Sequence, residues 1–439
     1  MLTSFLDSLP DLGAWPQGSM RSSDFTLERM QPLMAALGQP QQSYASIHVA
    51  GTNGKGSVCA FCEGALAAAG YCVGLYTSPH LRSPLNGIAV NGEIVGEEQL
   101  EATFQAMRPC FEARDGWTQF EAVTALAYQH FAEASVQVAV IEVGLGGRLD
   151  ATNLLVPTVS VITPIDYDHT SILGDQLGQI ASEKAGIIKR GVPVVTAPQV
   201  AEARREIVAA AEKNKAPLVE VGVDYLFETI KADLSGQEFR VWPATQPERK
   251  VDLRIALLGA HQVENAATAF AALRVAGDRD LKVDENTIRE GFASARWPAR
   301  FEVLQTDPAL VLDAAHSPHA ARALRRALDD YFPGKGIILV LGVSADKDLG
   351  GIVEALRPRI SQVVATQSAQ PRAMAAKQLQ SRLAALGLQG EAQPDAARAL
   401  QIALRLANPD KIVLVCGSVF LVEWVREAYF QTKGSSYMR

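Results

Sequence analysis

The amino-acid sequence predicts an α/β fold in two parts, a larger N-terminal one and a smaller C-terminal one. Three observations carry this. Short apolar, β-branched runs alternate with helical segments along most of the chain. The runs are nearly continuous in apolar character, as strands of a mostly parallel sheet covered on both faces are. At 439 residues the chain is also longer than one ordinary core organises.

The elements follow in order. "ASIHVAG" (45–51) reads as a strand, "GSVCAFCEGALAAAG" (56–70) as a helix ended by Gly70, and "YCVGLYTS" (71–78) as a strand again. "TQFEAVTALAYQHFAEA" (118–134) is a helix, followed by buried strands in "VQVAVIEVG", "TVSVITPI" and "VPVVTA". From about 218 to 258 the runs become shorter and more polar, which predicts an antiparallel excursion. "AHQVENAATAFAALRVAG" (260–277) returns to helix. Helical periodicity stops at Trp297-Pro298, where the domain boundary is placed. Beyond it "ALVLDAAH", "PHAARALRRALDDYF", "GIILVLGVS", "GGIVEALRPRI", "QVVATQ" and "KIVLVCGS" restart the alternation, giving a second α/β unit. Strand ends in both parts run into Gly, Ser, Asp or His, and ligands of open α/β sheets sit at such carboxyl ends, so a cleft between the parts is the expected site.

Composition narrows the function. Hydrophobic residues make up 48% and charged residues 20%, as in globular proteins, and the net charge of −7 argues against a dedicated nucleic-acid binder. No apolar run has the length of a membrane helix, and "MLTSFLDSLPDLG" has no signal-like basic and apolar regions, so no membrane partner and a cytoplasmic location are expected. Five cysteines form no disulfide framework. The Cys59-x-x-Cys62 pair lies within a helical stretch with no second ligand pair, and reads as two small buried residues rather than a zinc or redox site.

Four constellations could carry chemistry. In "HVAGTNGKGSV" (48–58) the Gly51 to Gly54-Lys55 spacing is shorter than in the usual phosphate-binding loop, and Gly56 intervenes before Ser57. The strand–loop–helix context nonetheless suits a phosphate cradle, with Lys55 as a point charge and Ser57 as a hydroxyl ligand. Glu142 ends the apolar run "VAVIE", where a carboxylate wants either an arginine such as Arg148 or a Mg²⁺ ion. His169, with Asp166 and Asp168 beside it, and the helical Lys184 near Glu183 and Lys189 are each unremarkable alone. Arg300, Asp313 and His316 stand beside strands of the second part, suited either to a nucleotide or to ion pairing.

Taken in order, "HVAGTNGKGSV", "YTSPHL", "TQFEAVTALA", "IEVGLGGRLDATN", "DHTSILG", "EKAGIIK", "GAHQVENAATA", "PARFEV", "DAAHSPHAA", "DKD" and "CGSVFLV" resemble the folylpolyglutamate synthase and dihydrofolate synthase family of the Mur ligase superfamily. The resemblance spans roughly 370 residues. It implies an N-terminal P-loop ATP-binding domain of Mur central type over 1–296 and a Rossmann-like Mur C-terminal domain over 297–439. It also implies an ATP-dependent ligase that adds L-glutamate to dihydropteroate, to folylpoly-γ-glutamate, or to both, through an acyl phosphate, with domain closure shielding that intermediate.

Residue roles follow from the same resemblance. Gly51, Thr52, Asn53, Gly54, Lys55, Gly56 and Ser57 would bind ATP phosphates, with Asn265, Arg300 and Asp313 at other nucleotide positions. Ser78, Glu142 and His169 would hold Mg²⁺. Lys184, typically carbamylated in the family, would join a second Mg²⁺. Lys55, Lys184 and His316 are the catalytic candidates, and Thr118, Phe120, Asp150 and Ala151 would hold the pteroate portion. The partners implied are small molecules acting on a monomer.

Two departures from the family pattern bear on substrate contacts: Asn86-Gly87 stands where relatives carry Glu-Arg, and Ala314 and Ser317 replace Gly and Asn. The alternative is a Mur-type ligase acting on a non-folate carboxylate. The Lys-Gly-Ser spelling at 55–57 and the short stretch before the loop argue against it. A nucleotide-binding scaffold without ligase activity would leave Lys184 unexplained.

Overall fold

The computed structural model describes residues 1–11, 25–78 and 83–433. It divides into two compact units. One is Met1–Lys231 with Gln237–Ala256 and His261–Arg296, and the other is Trp297–Arg439 with Ala232–Gly236 and Leu257–Ala260.

The first unit is built on β1 (Ala45–Ala50), β2 (Val73–Tyr76), β3 (Ile88–Val90), β4 (Glu93–Ile94), β5 (Val138–Glu142), β6 (Val159–Ile162), β7 (Val194–Thr196) and β8 (Leu218–Glu220). These form an eight-stranded sheet in the order β4-β3-β2-β5-β1-β6-β7-β8. β2, β5, β1, β6 and β7 are parallel, as their apolar character predicts, β8 joins them in parallel, and β3 and β4 add an antiparallel edge. That edge arises within the "GIAVNGEI" stretch, whose Asn91 takes φ 52° beside Gly92 at φ 80°, a hairpin turn that the sequence reading passed over.

The excursion expected from 218 also begins later. Val219 pairs with Val195, so β8 still belongs to the parallel sheet. It is only half-buried, which is why its polarity misleads. The antiparallel part is the three-stranded sheet of β9 (Tyr225–Asp233), β10 (Gly236–Pro243) and β11 (Val251–Ile255).

Among the helices of this unit are α1 (Leu2–Ser8), α2 (Met30–Ala36), α3 (Lys55–Ala68), α4 (Glu97–Glu112), α5 (Gln119–Glu133), α6 (Thr170–Leu173), α7 (Leu177–Ala185), α8 (Ala201–Asn214), α9 (Ala260–Gly277) and α10 (Glu285–Ser294). α5 starts with a reciprocal cap: Glu121 N–H donates to Thr118 Oγ1 at 3.2 Å and Thr118 N–H to Glu121 Oε2 at 2.9 Å. Its apolar face joins α1, α2 and α4 in one core through Leu6, Met34, Phe104 and Tyr128. α7 and α8 build a second core against β6 and β7 through Ile180, Ile207, Ile162 and Val194. The registers Val49↔Glu142 and Val49↔Val161 bring the carboxyl ends of β5, β1 and β6 level, so their following loops emerge together.

The second unit holds β12 (Glu302–Thr306), β13 (Ala309–Leu312), β14 (Gly336–Leu341), β15 (Ile360–Ala365), β16 (Gly390–Ala392) and β17 (Lys411–Cys416), in the order β12-β13-β17-β14-β15-β16. Only β12 is antiparallel to its neighbour. Its helices are α11 (Pro318–Tyr331), α12 (Leu349–Leu356), α13 (Ala376–Ala385), α14 (Ala396–Leu406) and α15 (Val419–Lys433). The period of two sends Val311, Ile337, Leu339 and Leu341 to a core with α11 and α12. The intervening Leu310, Leu312, Ile338 and Val340 pack against α14 and α15. Among the described residues no helix is long and apolar enough to cross a membrane.

Candidate active site

The loop after β1 is held from below. Thr52 and Asn53 N–H groups donate to the Pro164 carbonyl at 3.0 and 3.2 Å, and Thr52 Oγ1 donates to Asp166 O at 3.0 Å. Gly51 (φ 146°) and Gly54 (φ 87°) adopt backbone that a Cβ disfavours. A Cβ on Gly51 would run into the Thr163 hydroxyl, and one on Gly54 into the Asn265 side-chain amide. Asn265, on α9, thus lies directly against the loop. Gly54 caps α3, whose first intrahelical bond is Val58 N–H to Gly54 O at 3.0 Å. The Lys55, Gly56 and Ser57 N–H groups precede that bond and point out of the helix start, where an anion is favoured. The Ser57 hydroxyl is buried without a hydrogen-bond partner.

Glu142 ends β5 beside this loop. One carboxylate oxygen lies 3.8 Å from Lys55 Nζ, and the other accepts Ser78 N–H at 3.3 Å. Arg148, the alternative partner, pairs instead with Glu183 at 2.8 Å. Ser78 Oγ is buried and has no partner. The rest of the "SPHL" run and the residue after it, residues 79–82, lie outside the described residues.

Lys184, on α7, is buried and donates from Nζ to Gly51 O at 2.8 Å. Burial and the nearby Lys55 charge push its pKa down to about 7, against the pull of Asp168 and Asp150. His169 caps α6 at φ 49°, with Nε2 3.6 Å from Asp168 Oδ2. Among the described residues no three His, Cys, Asp or Glu side chains form a ready metal cluster. The expected Mg²⁺ set draws only Glu142 and His169 from those types, with a serine hydroxyl completing it. An orphaned hydroxyl beside a buried carboxylate fits Mg²⁺, which takes one or two protein carboxylates and completes its shell with water and phosphate oxygens.

The residues expected to hold pteroate fall on the next loop and helix. Thr118 and Phe120 open α5, and the Phe120 ring lies so close to Gly144 that a Cβ there would strike it. Asp150 accepts Leu145 N–H at 2.8 Å, Thr152 N–H at 3.0 Å and the Thr152 hydroxyl at 2.5 Å. Thr152 Oγ1, having spent its proton, accepts from His48 Nε2 at 2.9 Å. Burial pushes His48 down to about 3, so its ring is neutral. Ala151 follows Asp150 in the same turn and is buried.

In the second unit, Asp313 follows β13 and accepts Phe301 N–H at 2.8 Å and Ala315 N–H at 2.8 Å. Burial raises its pKa while the Arg300 charge lowers it. His316 Nδ1 donates to Ala314 O at 2.9 Å. Arg300, Asp313 and His316 are therefore gathered at one end of this sheet.

Comparison with known proteins bears on this geometry. Residues 49–273 match the Mur ligase middle domain and 299–419 the Mur ligase glutamate ligase domain. A dihydrofolate synthase/folylpolyglutamate synthase of Bacillus subtilis is 34% identical over 91% of this chain and 94% of that protein. The chain belongs to the dihydrofolate synthase/folylpolyglutamate synthase family of Mur ligases. The Escherichia coli member is 34% identical over 97% of this chain and 95% of its own length. A solved E. coli FolC in complex with DHPP and ADP superposes with a TM-score of 0.87 at 33% identity, covering 98% of this chain and 97% of that one. A Mycobacterium tuberculosis folylpolyglutamate synthase complexed with ADP and AMPPCP gives 0.86 at 31%, covering 99% and 98%.

The departures from the family pattern have local roles in the structure. Asn86 accepts Ser83 N–H at 2.9 Å, closing a capping box on a short turn. Ser317 caps α11 by accepting Ala320 N–H at 3.2 Å. Cys59 and Cys62 are buried on α3, and burial pushes the Cys62 thiol up to about 12. Sequence reasoning missed Pro164, His48 and Thr152, which support the loops. A backbone carbonyl, a histidine inside an apolar strand and a threonine in a short turn give no local signal for such a role.

Proposed function

We propose that this chain is an ATP-dependent amide ligase that joins L-glutamate to dihydropteroate, to folylpoly-γ-glutamate, or to both. The observation that carries the proposal is the convergence of Lys55, Glu142, Ser78 and Lys184 on one strand-end loop, in a family with a member solved with DHPP and ADP. In this reading the α3 N-terminus and Lys55 draw negative charge from the ATP γ-phosphoryl group as the substrate carboxylate attacks it. ADP leaves, and an acyl phosphate forms. The L-glutamate amine then attacks the acyl carbon and releases phosphate, leaving the amide.

Ser78, Glu142 and His169 would hold Mg²⁺, which would supply further positive charge to the phosphate oxygens. Lys184 deepens the reading. A pKa of about 7 leaves much of its amine neutral at physiological pH, the form that adds CO₂ to give a carbamate and a proton. As a carbamate it would present oxygens to a second Mg²⁺. A ¹³C carbamate resonance under ¹³CO₂, absent from Lys184→Ala, tests this; its absence from the wild type refutes it. Arg300, Asp313 and Asn265 would serve the nucleotide, His316 would act in catalysis, and Thr118, Phe120, Asp150 and Ala151 would take the pteroate portion. A monomeric cytoplasmic enzyme completes the reading, with sedimentation as its check.

The deciding experiment measures ADP release with dihydropteroate or tetrahydrofolate, each with and without L-glutamate. Turnover is expected to require glutamate together with at least one of the two. ADP release indifferent to both overturns the folate assignment.

A further inference from the structure

Arg300 is flanked by two residues in left-handed backbone, Ala299 at φ 61° and Phe301 at φ 44°. Side chains with a Cβ disfavour this conformation, so the turn must be imposed by its surroundings. Two carboxylates impose it. Ala299 N–H donates to Glu302 Oε2 at 3.0 Å, and Phe301 N–H donates to Asp313 Oδ2 at 2.8 Å. The Ala299 carbonyl in turn accepts Ala314 N–H at 2.9 Å.

Packing fixes the direction of the residue between them. Ala299 is fully buried in the core that contains Leu312, Ala314 and Val425. Phe301 is buried in the core on the opposite face, with Val311, Ala315 and Leu339, and its ring lies 5.5 Å from that of Tyr331. With both neighbours anchored to opposite faces of the sheet, Arg300 is the half-buried residue of the turn, at the strand end beside Asp313, and its Nη1 donates back to the Ala299 carbonyl at 3.1 Å, so the turn also holds its guanidinium. Glu302 is itself held: buried Arg426 on α15 donates from Nε to both its oxygens, at 2.9 and 3.1 Å.

We infer that Glu302, locked by Arg426, is a positioning residue that sets the left-handed Ala299–Phe301 turn and thereby aims Arg300 at the nucleotide. The inference rests on the nucleotide reading of Arg300. Its physical content is that Glu302 acts on the ligand only through Arg300, whose guanidinium must arrive pre-oriented to give a strong charge-assisted contact.

The test is ADP binding by calorimetry on the full chain, with thermal unfolding followed by circular dichroism. E302A is expected to weaken ADP at least tenfold, as is R300A. E302Q, whose amide oxygen still accepts the Ala299 N–H, stays within about threefold of wild type. The R300A/E302A double variant binds ADP no more weakly than R300A alone, because Glu302 has nothing left to aim. A structural role for Glu302 would lower the melting temperature without this non-additivity. If E302A does not fold, E302D replaces it, keeping the charge but falling one methylene short of Ala299. ADP affinity within twofold of wild type in E302A, or multiplicative losses in the double variant, overturns the inference and spares the role of Arg300. Unchanged affinity in R300A overturns both.

Discussion

Lys184 Nζ donates a 2.8 Å hydrogen bond to the carbonyl oxygen of Gly51, a residue 133 positions earlier in the chain. A helix cation is thereby buried against the loop that also carries Lys55, and two like charges share a small, poorly hydrated space. The arrangement costs stability while Lys184 is protonated, which makes it readable by pH.

The folded pKa of Lys184, about 7, lies below its ordinary 10.5. Below pH 7 both folded and unfolded chains are protonated there, and the full burial cost is paid. Between pH 7 and 10.5 the unfolded chain binds more protons, so this contribution to stability rises with pH. In CO₂-free buffer Lys184→Met is expected to melt above wild type at pH 6.5. The gap should narrow by about 2 °C or more by pH 9.5. A gap independent of pH would show that the lysine is not buried as a cation.

Ser57 separates binding from folding. Its hydroxyl is buried with no protein partner, so Ser57→Ala removes an unsatisfied group and costs the ligand-free fold nothing. The melting temperature should hold or rise, while kcat/KM for ATP falls by ~10-fold or more, since hydrogen bonds to charged groups contribute about 1.5–3 kcal/mol. Loss of both stability and activity would assign Ser57 to the fold.

Thr152 connects two buried groups, donating to Asp150 and accepting from His48. Thr152→Val keeps the shape and leaves both short of a partner, at a cost of about 1–3 kcal/mol each. The urea midpoint should drop, and KM for dihydropteroate should rise more than KM for ATP, because Asp150 loses its orientation. Equal rises in the two constants would count against the assignment of Asp150 to pteroate.

Gly54 tests the loop backbone. Gly54→Ala must place a Cβ at φ 87° against the Asn265 amide. Left-handed backbone alone costs an alanine about 1–2 kcal/mol. ADP affinity should fall at least tenfold, with a lowered melting temperature. Wild-type affinity would mean that the loop need not hold this shape to bind nucleotide.

Much of this protein is written locally. The apolar runs of β1, β5 and β6, the helical periods of α3, α5 and α9, and the Gly51–Ser57 loop depend on side-chain pattern within a few residues, so the α/β class and the loop's place between strand and helix are legible in the sequence. The half-buried β8 is not, because its pairing depends on β7, more than twenty residues away, whereas the small β3–β4 hairpin is local, turned by the Asn91-Gly92 pair that the sequence reading passed over. The same holds for the site. Sequence alone marks Glu142 as a carboxylate in need of a partner, but only the parallel register of β1 with β5 brings it to Lys55 rather than Arg148. Lys184 reads as an ordinary helical lysine until α7 packs its Nζ against Gly51. Glu302 reads as one polar position in an alternating strand, and only the fold brings it to Arg426 across 124 residues. Periodicity encodes which face of an element is buried; which charged groups then meet is decided by the packing of elements far apart in the chain.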